Sequence, residues 1–304
     1  MIINPSKKSL KLALLKTQST SLVAYEKDRG EVPGCKDKYS EEDFIPFQIV
    51  SNSKTIKLHT YRENGLNLTN ITNPNALLFF CHGLFAHQNR YAHAAKYFAK
   101  LGVTTVGFDA RGHGKSEGLP GYIENIELLV SDLYEFTTII DKIYPKSIPR
   151  FLIGQSMGGM LGFMFGLKRP EYFSGMILLS PSLKQHDSKR FAMKAAKFLS
   201  YILGSIPIPI PNKNDASRNP AVFENSSTDP LVYRGGIRPT TIASFVNAMA
   251  FTSLNVANFT VPFILVQGGL DAAVDVECNI DLFEQSKSIV KNYKKFDQEI
   301  SFKK

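Results

Sequence analysis

What this chain of 304 residues lacks narrows its class before any motif is considered. It has three cysteines, Cys35, Cys81 and Cys278, too few for a disulfide framework and suited to reduced thiols in a cytoplasmic protein. Cys81 falls inside an apolar run and reads as a core residue. No apolar stretch approaches the roughly 18 residues that a membrane span requires. Leu10 to Leu15 is too short and too lysine-broken for a signal peptide, so Asn67-Leu68-Thr69 and Asn225-Ser226-Ser227 are not expected to carry glycans. The formal charge is +9, from 36 basic and 27 acidic residues. The lysines are dispersed, without a basic run, so nucleic acid is not an expected partner, whereas an anionic membrane surface is compatible. No metal-ligand spacing, phosphate loop or dinucleotide fingerprint occurs, and neither metal nor cofactor is expected.

What is present centres on Gly154-Gln155-Ser156-Met157-Gly158. Glycines two residues either side of a serine are needed where the chain turns sharply with the serine at its apex and a helix passes close behind. The flanks agree. Phe151-Leu152-Ile153 reads as a buried strand after Pro149, and Met160, Leu161, Phe163, Met164 and Leu167 recur at helical spacing up to Pro170. A serine hydroxyl becomes a useful nucleophile only when an imidazole takes its proton and a carboxylate orients that imidazole. Two N–H groups must also face the oxyanion that develops.

Met157 N–H, directly after the serine, is one expected oxyanion donor. Ala76 to Cys81 is a continuous apolar run of the kind central parallel strands show, and it leads into His82-Gly83-Leu84. Leu84 N–H is the expected second donor, and His82 is read as a structural histidine shaping that loop. Val261 to Gln267 reads as another buried strand, and Asp271 follows it after Gly268-Gly269, where open α/β sheets place their ligand crevices. Asp271 is therefore the expected acid and Asp275 the fallback, either being able to serve instead as a helix N-cap.

His82-Gly83, the run Asp109 to Gly118, Gly154 to Gly159 and the strand end at Asp271 together resemble the monoacylglycerol lipase family of α/β-hydrolases, and Ser217 to Pro220 and Asp229-Pro230-Leu231 add to the match. The resemblance covers about residues 45 to 285. It implies an α/β-hydrolase fold: a mostly parallel central sheet flanked by helices, with an inserted helical cap. It also implies a serine hydrolase cleaving acyl esters, monoacylglycerol or lysophospholipid, through an acyl-enzyme, with Ser156 as nucleophile, Asp271 as acid, and Leu84 and Met157 at the oxyanion positions.

One element of the pattern is missing. The histidines are His59, His82, His87, His93, His113 and His186, and none follows Asp271, where the family carries its catalytic one. From about Ser288 the family pattern is lost, and the last strand or helix is expected to be absent. Three readings stand: a chain cut short or diverted by a splicing or frameshift error; a pseudoenzyme or acyl-lipid binding protein that keeps the pocket; or another histidine, such as His186, acting as base.

The expected organisation is a polar extension over residues 1–43 and one hydrolase domain over 44–304, opened by an antiparallel pair, 44–50 with 55–61, at the sheet edge. The cap is expected over about 182–256. There Phe191, Ala195, Phe198, Leu199, Ile202 and Leu203 form an apolar stripe beside Lys189, Arg190, Lys194 and Lys197, and Ile206 to Pro211 alternates isoleucine with proline. Composition alone favours a helix packed on the core. The resemblance shifts the reading to a cap that contacts a membrane peripherally and admits an acyl chain.

Overall fold

The computed structural model describes residues 37–51, 54–66, 73–184, 198–200, 202–209, 220–269, 271 and 273–296. Ten strands are found among them: β1 (Glu41–Glu42), β2 (Gln48–Ser51), β3 (Lys54–Lys57), β4 (Thr60–Glu63), β5 (Ala76–Cys81), β6 (Val103–Phe108), β7 (Arg150–Gln155), β8 (Gly175–Leu179), β9 (Phe263–Gly268) and β10 (Lys291–Phe296). The helices are α1 (Ala92–Ala99), α2 (Ile126–Ile143), α3 (Met157–Lys168), α4 (Pro220–Thr228), α5 (Pro239–Asn255) and α6 (Val276–Gln285). Eight strands form one sheet in the order β1-β4-β6-β5-β7-β8-β9-β10, parallel from β6 to β10, with β4 antiparallel to β6 and β1 antiparallel to β4. This is the mostly parallel α/β architecture that the resemblance implies, and none of the described helices is long and apolar enough to cross a membrane.

The continuous apolar run of β5 follows from burial on both faces. Leu77, Phe79 and Cys81 enter the larger core beneath α2 and α3, while Leu78 and Phe80 enter a second cluster with Ile153, Tyr91 and Phe98. The larger core is knitted by edge-to-face rings, Phe79 against Phe136 and Phe173, and Phe47 against Phe108. Helix starts follow capping chemistry. Asn125 accepts from Glu127 N–H at α2, and Asp275 accepts from Cys278 N–H at 3.0 Å at α6.

Three boundaries differ from the sequence expectations. Residues 37–43, assigned there to the polar extension, belong to the fold: β1 pairs with β4, Tyr39 is buried against Tyr61, and Ser40 is held by Glu63. Residues 1–36 of the extension lie outside the described residues. The expected edge hairpin splits, because β2 and β3 pair with each other as a separate ribbon while β4 alone joins the main sheet. Of the last strand or helix expected to be absent after about Ser288, the strand is present: β10 runs parallel to β9 over six registered pairs. Its sequence, Lys-Asn-Tyr-Lys-Lys-Phe, carries no apolar run because it is an edge strand without a fully buried residue, and edge strands tolerate lysine.

Candidate active site

The sequence demanded a sharp bend at Ser156, and the backbone supplies one. Ser156 has φ 53° and ψ −111°, a conformation strained for any side chain, between the end of β7 and the first residue of α3. The two glycines are required sterically. A Cβ at Gly154 would lie 2.3 Å from Gly158 O, and one at Gly158 would lie 2.0 Å from Cys81 O. Ser156 Oγ meets Ser182 Oγ at 3.1 Å, a contact that the sequence did not signal.

As first residue of α3, Met157 has an N–H with no intrahelical acceptor. Leu84 occupies the turn directly after β5, the strand in register with β7 through Cys81 and Gly154, so both amides lie at the same end of neighbouring strands. Among the described residues, neither amide donates to a backbone carbonyl. His82 fixes the base of the Leu84 turn. Its Nε2 accepts from Ala110 N–H at 2.9 Å, so Nδ1 carries the proton and donates to Gly83 O at 2.8 Å. Burial pushes its pKa down to about 4, so the ring is neutral. Beside it at 5.4 Å lies the His113 ring, also lowered to about 4 by burial, with Nδ1 against Arg111 O.

Asp271 follows β9, two strands from the elbow in the order β7-β8-β9. Its Oδ1 accepts from the N–H groups of Ala273 and Val274, at 2.9 and 3.0 Å, and Gln267 Nε2 donates to Oδ2 at 3.2 Å. Gln267 also donates to Ser180 Oγ, and its own Oε1 accepts from Asn279, which in turn holds Pro181 O. The carboxylate and the elbow are thereby tied to one segment, Ser180–Ser182, at the end of β8. Asp275 caps α6, and Gln267 joins Asp271 to this network.

The described imidazoles are placed elsewhere than Ser156. His59 lies between Glu42 and Asp43 at 3.4 and 3.7 Å, His87 Nε2 meets Asp229 at 2.8 Å, and His93 sits in the first turn of α1 near Asp37. His186 lies outside the described residues, as do Phe191 and Ala195 of the apolar stripe, its four flanking basic residues and Ser217 to Asn219. Of the stripe, Phe198, Leu199 and Ile202 are exposed.

The segment between β8 and β9 reaches over the Leu84 turn. Tyr233 N–H donates to Phe85 O at 3.1 Å, their rings pack at 5.2 Å, and Phe85 holds φ 65°. Asp229 pairs with His87 and with Arg90, and although its partial burial opposes ionisation, those partners hold its carboxyl below the usual range. The Asp229-Pro230-Leu231 motif thus acts on the loop after β5, which spacing alone did not reveal.

Comparison with known proteins shows the family and the fold. The Hydrolase_4 family, Serine aminopeptidase, S33, matches residues 72–299. Monoglyceride lipase of Mus musculus is 33% identical over 226 residues, covering 74% of each chain. Monoacylglycerol lipase of Paleococcus ferrophilus superposes with a TM-score of 0.67 at 26% identity, covering 79% of this chain and 89% of that one. A soluble variant of monoglyceride lipase from Saccharomyces cerevisiae, solved in complex with a substrate analog, shares the fold with a TM-score of 0.68 at 19% identity, covering 85% and 89%.

Proposed function

The chain belongs to the Hydrolase_4 family of serine hydrolases and is related to the monoacylglycerol lipases of the α/β-hydrolase fold, and from that premise we propose that it cleaves monoacylglycerols, or lysophospholipids of similar shape, through an acyl-enzyme on Ser156. In this reading Ser156 Oγ attacks the ester carbonyl. The N–H groups of Leu84 and Met157 hold the oxyanion, which develops where donors are already fixed and no reorganisation is needed. Asp271 is the carboxylate to orient an imidazole that takes the Ser156 proton and passes it to the leaving alcohol, a role that none of the described histidines is placed to fill and that His186 is left to supply. Water then releases the fatty acid through the same base. The observation that carries the reading is the strained apex at Ser156, φ 53°, set beside the turn of Leu84. Such strain persists only where surrounding structure enforces it, and it marks functional sites.

In this reading the domain runs from about residue 37 through β10, and residues of about 182–256 form the cap. Phe198, Ile202 and Ile206 are 65%, 64% and 57% exposed, which supports a cap whose apolar side touches a lipid surface.

A second reading, an acyl-lipid binding protein with the same pocket, is favoured by one observation: among the described residues the side-chain partner of Ser156 is the Ser182 hydroxyl, not an imidazole. Hydrolysis separates the two. With His186 as base, purified protein with a long-chain 1-monoacylglycerol is expected to release fatty acid, and Ser156→Ala to lower the rate by about three orders of magnitude or more. Wild-type protein that binds the lipid and releases none would replace hydrolysis by the binding reading.

A further inference from the structure

The two proposed oxyanion donors come from different loops, and a hydrogen-bonded side chain joins those loops. Tyr91 closes the 3-10 turn Gln88–Tyr91 that follows the Leu84 turn. Its hydroxyl donates to Gln155 Oε1 at 2.6 Å, and Gln155 immediately precedes Ser156. The Gln155 side chain lies against Gly83, where a Cβ would stand 2.5 Å from Oε1 and would have to displace it. The Tyr91 ring is fixed by packing at 4.4 Å on Phe80 of β5, and it belongs to the apolar cluster with Leu78 and Ile153. Burial raises the phenol to about 12, an effect that the Gly83 backbone partly opposes.

We propose that Tyr91 is a positioning residue for the oxyanion hole, its hydroxyl bracing the Gly83–Leu84 turn against Gln155 and so setting the spacing of the Leu84 and Met157 amides. The ladder between β5 and β7 ends at Cys81 and Gly154, before either donor is reached. Beyond that pair the chains diverge, one into a turn and the other into the elbow. Without a cross-link, the two amides would keep their own conformations but not their separation. Oxyanion stabilisation depends on that separation, because misplacement by about 1 Å costs large factors in rate. A merely structural tyrosine would serve through its ring, which Phe80 already holds.

The inference rests on the hydrolase reading, and its test has an arm that does not. In Tyr91→Phe the ring packing stays and the bridge goes; in Gln155→Met the acceptor goes and the length stays. Each is expected to lower the limiting rate of Ser156 phosphonylation by a fluorophosphonate about tenfold, with the apparent affinity for the probe unchanged. The double variant is expected to lose no more than either single one, since both remove the same link. Rates within twofold of wild type, or losses that multiply in the double variant, would overturn the proposal. Should wild-type protein resist phosphonylation, the hydrolase reading fails, and amide hydrogen exchange at Gly83 and Leu84 decides the bridge: faster exchange in both single variants supports it, unchanged exchange refutes it.

Discussion

Alanine at Gly158 is expected to cost the protein several kcal/mol and, with it, the elbow. The added Cβ would lie 2.0 Å from Cys81 O and 2.5 Å from Cys81 C, distances that real contacts do not reach. Both atoms are backbone, on a strand whose six residues are all buried, so no flexible side chain can swing aside. Overpacking of this kind costs about 1–3 kcal/mol and more where backbone must shift. For a chain of this size that lowers Tm by about 5–10 °C. Gly175→Ala is the matched control. Its Cβ would meet nothing nearer than 3.5 Å, and a change under about 1 kcal/mol is expected. Equal thermal melts for the two variants would show that the helix does not pass as close behind the elbow as described.

Acid is expected to destabilise the fold well above the range in which carboxylates titrate. His82 and His113 are buried side by side, each with its pKa lowered to about 4 by burial, against about 6.5 in an unfolded chain. Between those values the unfolded chain binds more protons than the folded one, so stability is full above about pH 6.5 and falls as the pH drops toward 4. Protonation would also turn His82 Nε2 from the acceptor of Ala110 N–H into a second donor facing it. A pKa unit corresponds to about 1.4 kcal/mol, so the two rings together account for several kcal/mol, a large share of ordinary domain stability. Asp109 and Asp132 are raised by burial and act in the opposite sense, so the rings are isolated by variants. Urea denaturation from pH 7.5 to 4.5 is expected to show a steep loss for wild type and a shallower one for His113→Gln. Stability unchanged between pH 7 and 5 would contradict the buried neutral pair.

Legibility in the sequence follows the range of the forces involved. The bend at Ser156 was readable because glycine on both sides of it is a local steric demand, and the geometry repeats that demand at Gly154 and Gly158. The central strands were readable because β5 is buried on both faces and must be apolar throughout. β10 was not, since an edge strand can carry lysines and still pair along its whole length. Nor was β1, two residues recruited from a polar segment by Tyr39 packing on Tyr61. The links from Asp271 through Gln267 and Asn279 to Pro181, and from Asp229 to His87, span 98 to 142 residues of chain at their widest, and no periodicity encodes such a contact. Asp275 is ambiguous as a letter and becomes a helix cap only once α6 is seen to start behind it.

The claim on which the chemistry depends is that Ser156 Oγ is the nucleophile. The most direct measurement is mass mapping of the protein after reaction with a fluorophosphonate, with and without prior incubation with a monoacylglycerol. A single adduct on the peptide carrying Ser156, slowed by the lipid and absent in Ser156→Ala, is the expected result. An adduct on Ser182 or on another serine, with Ser156 unmodified, would contradict it.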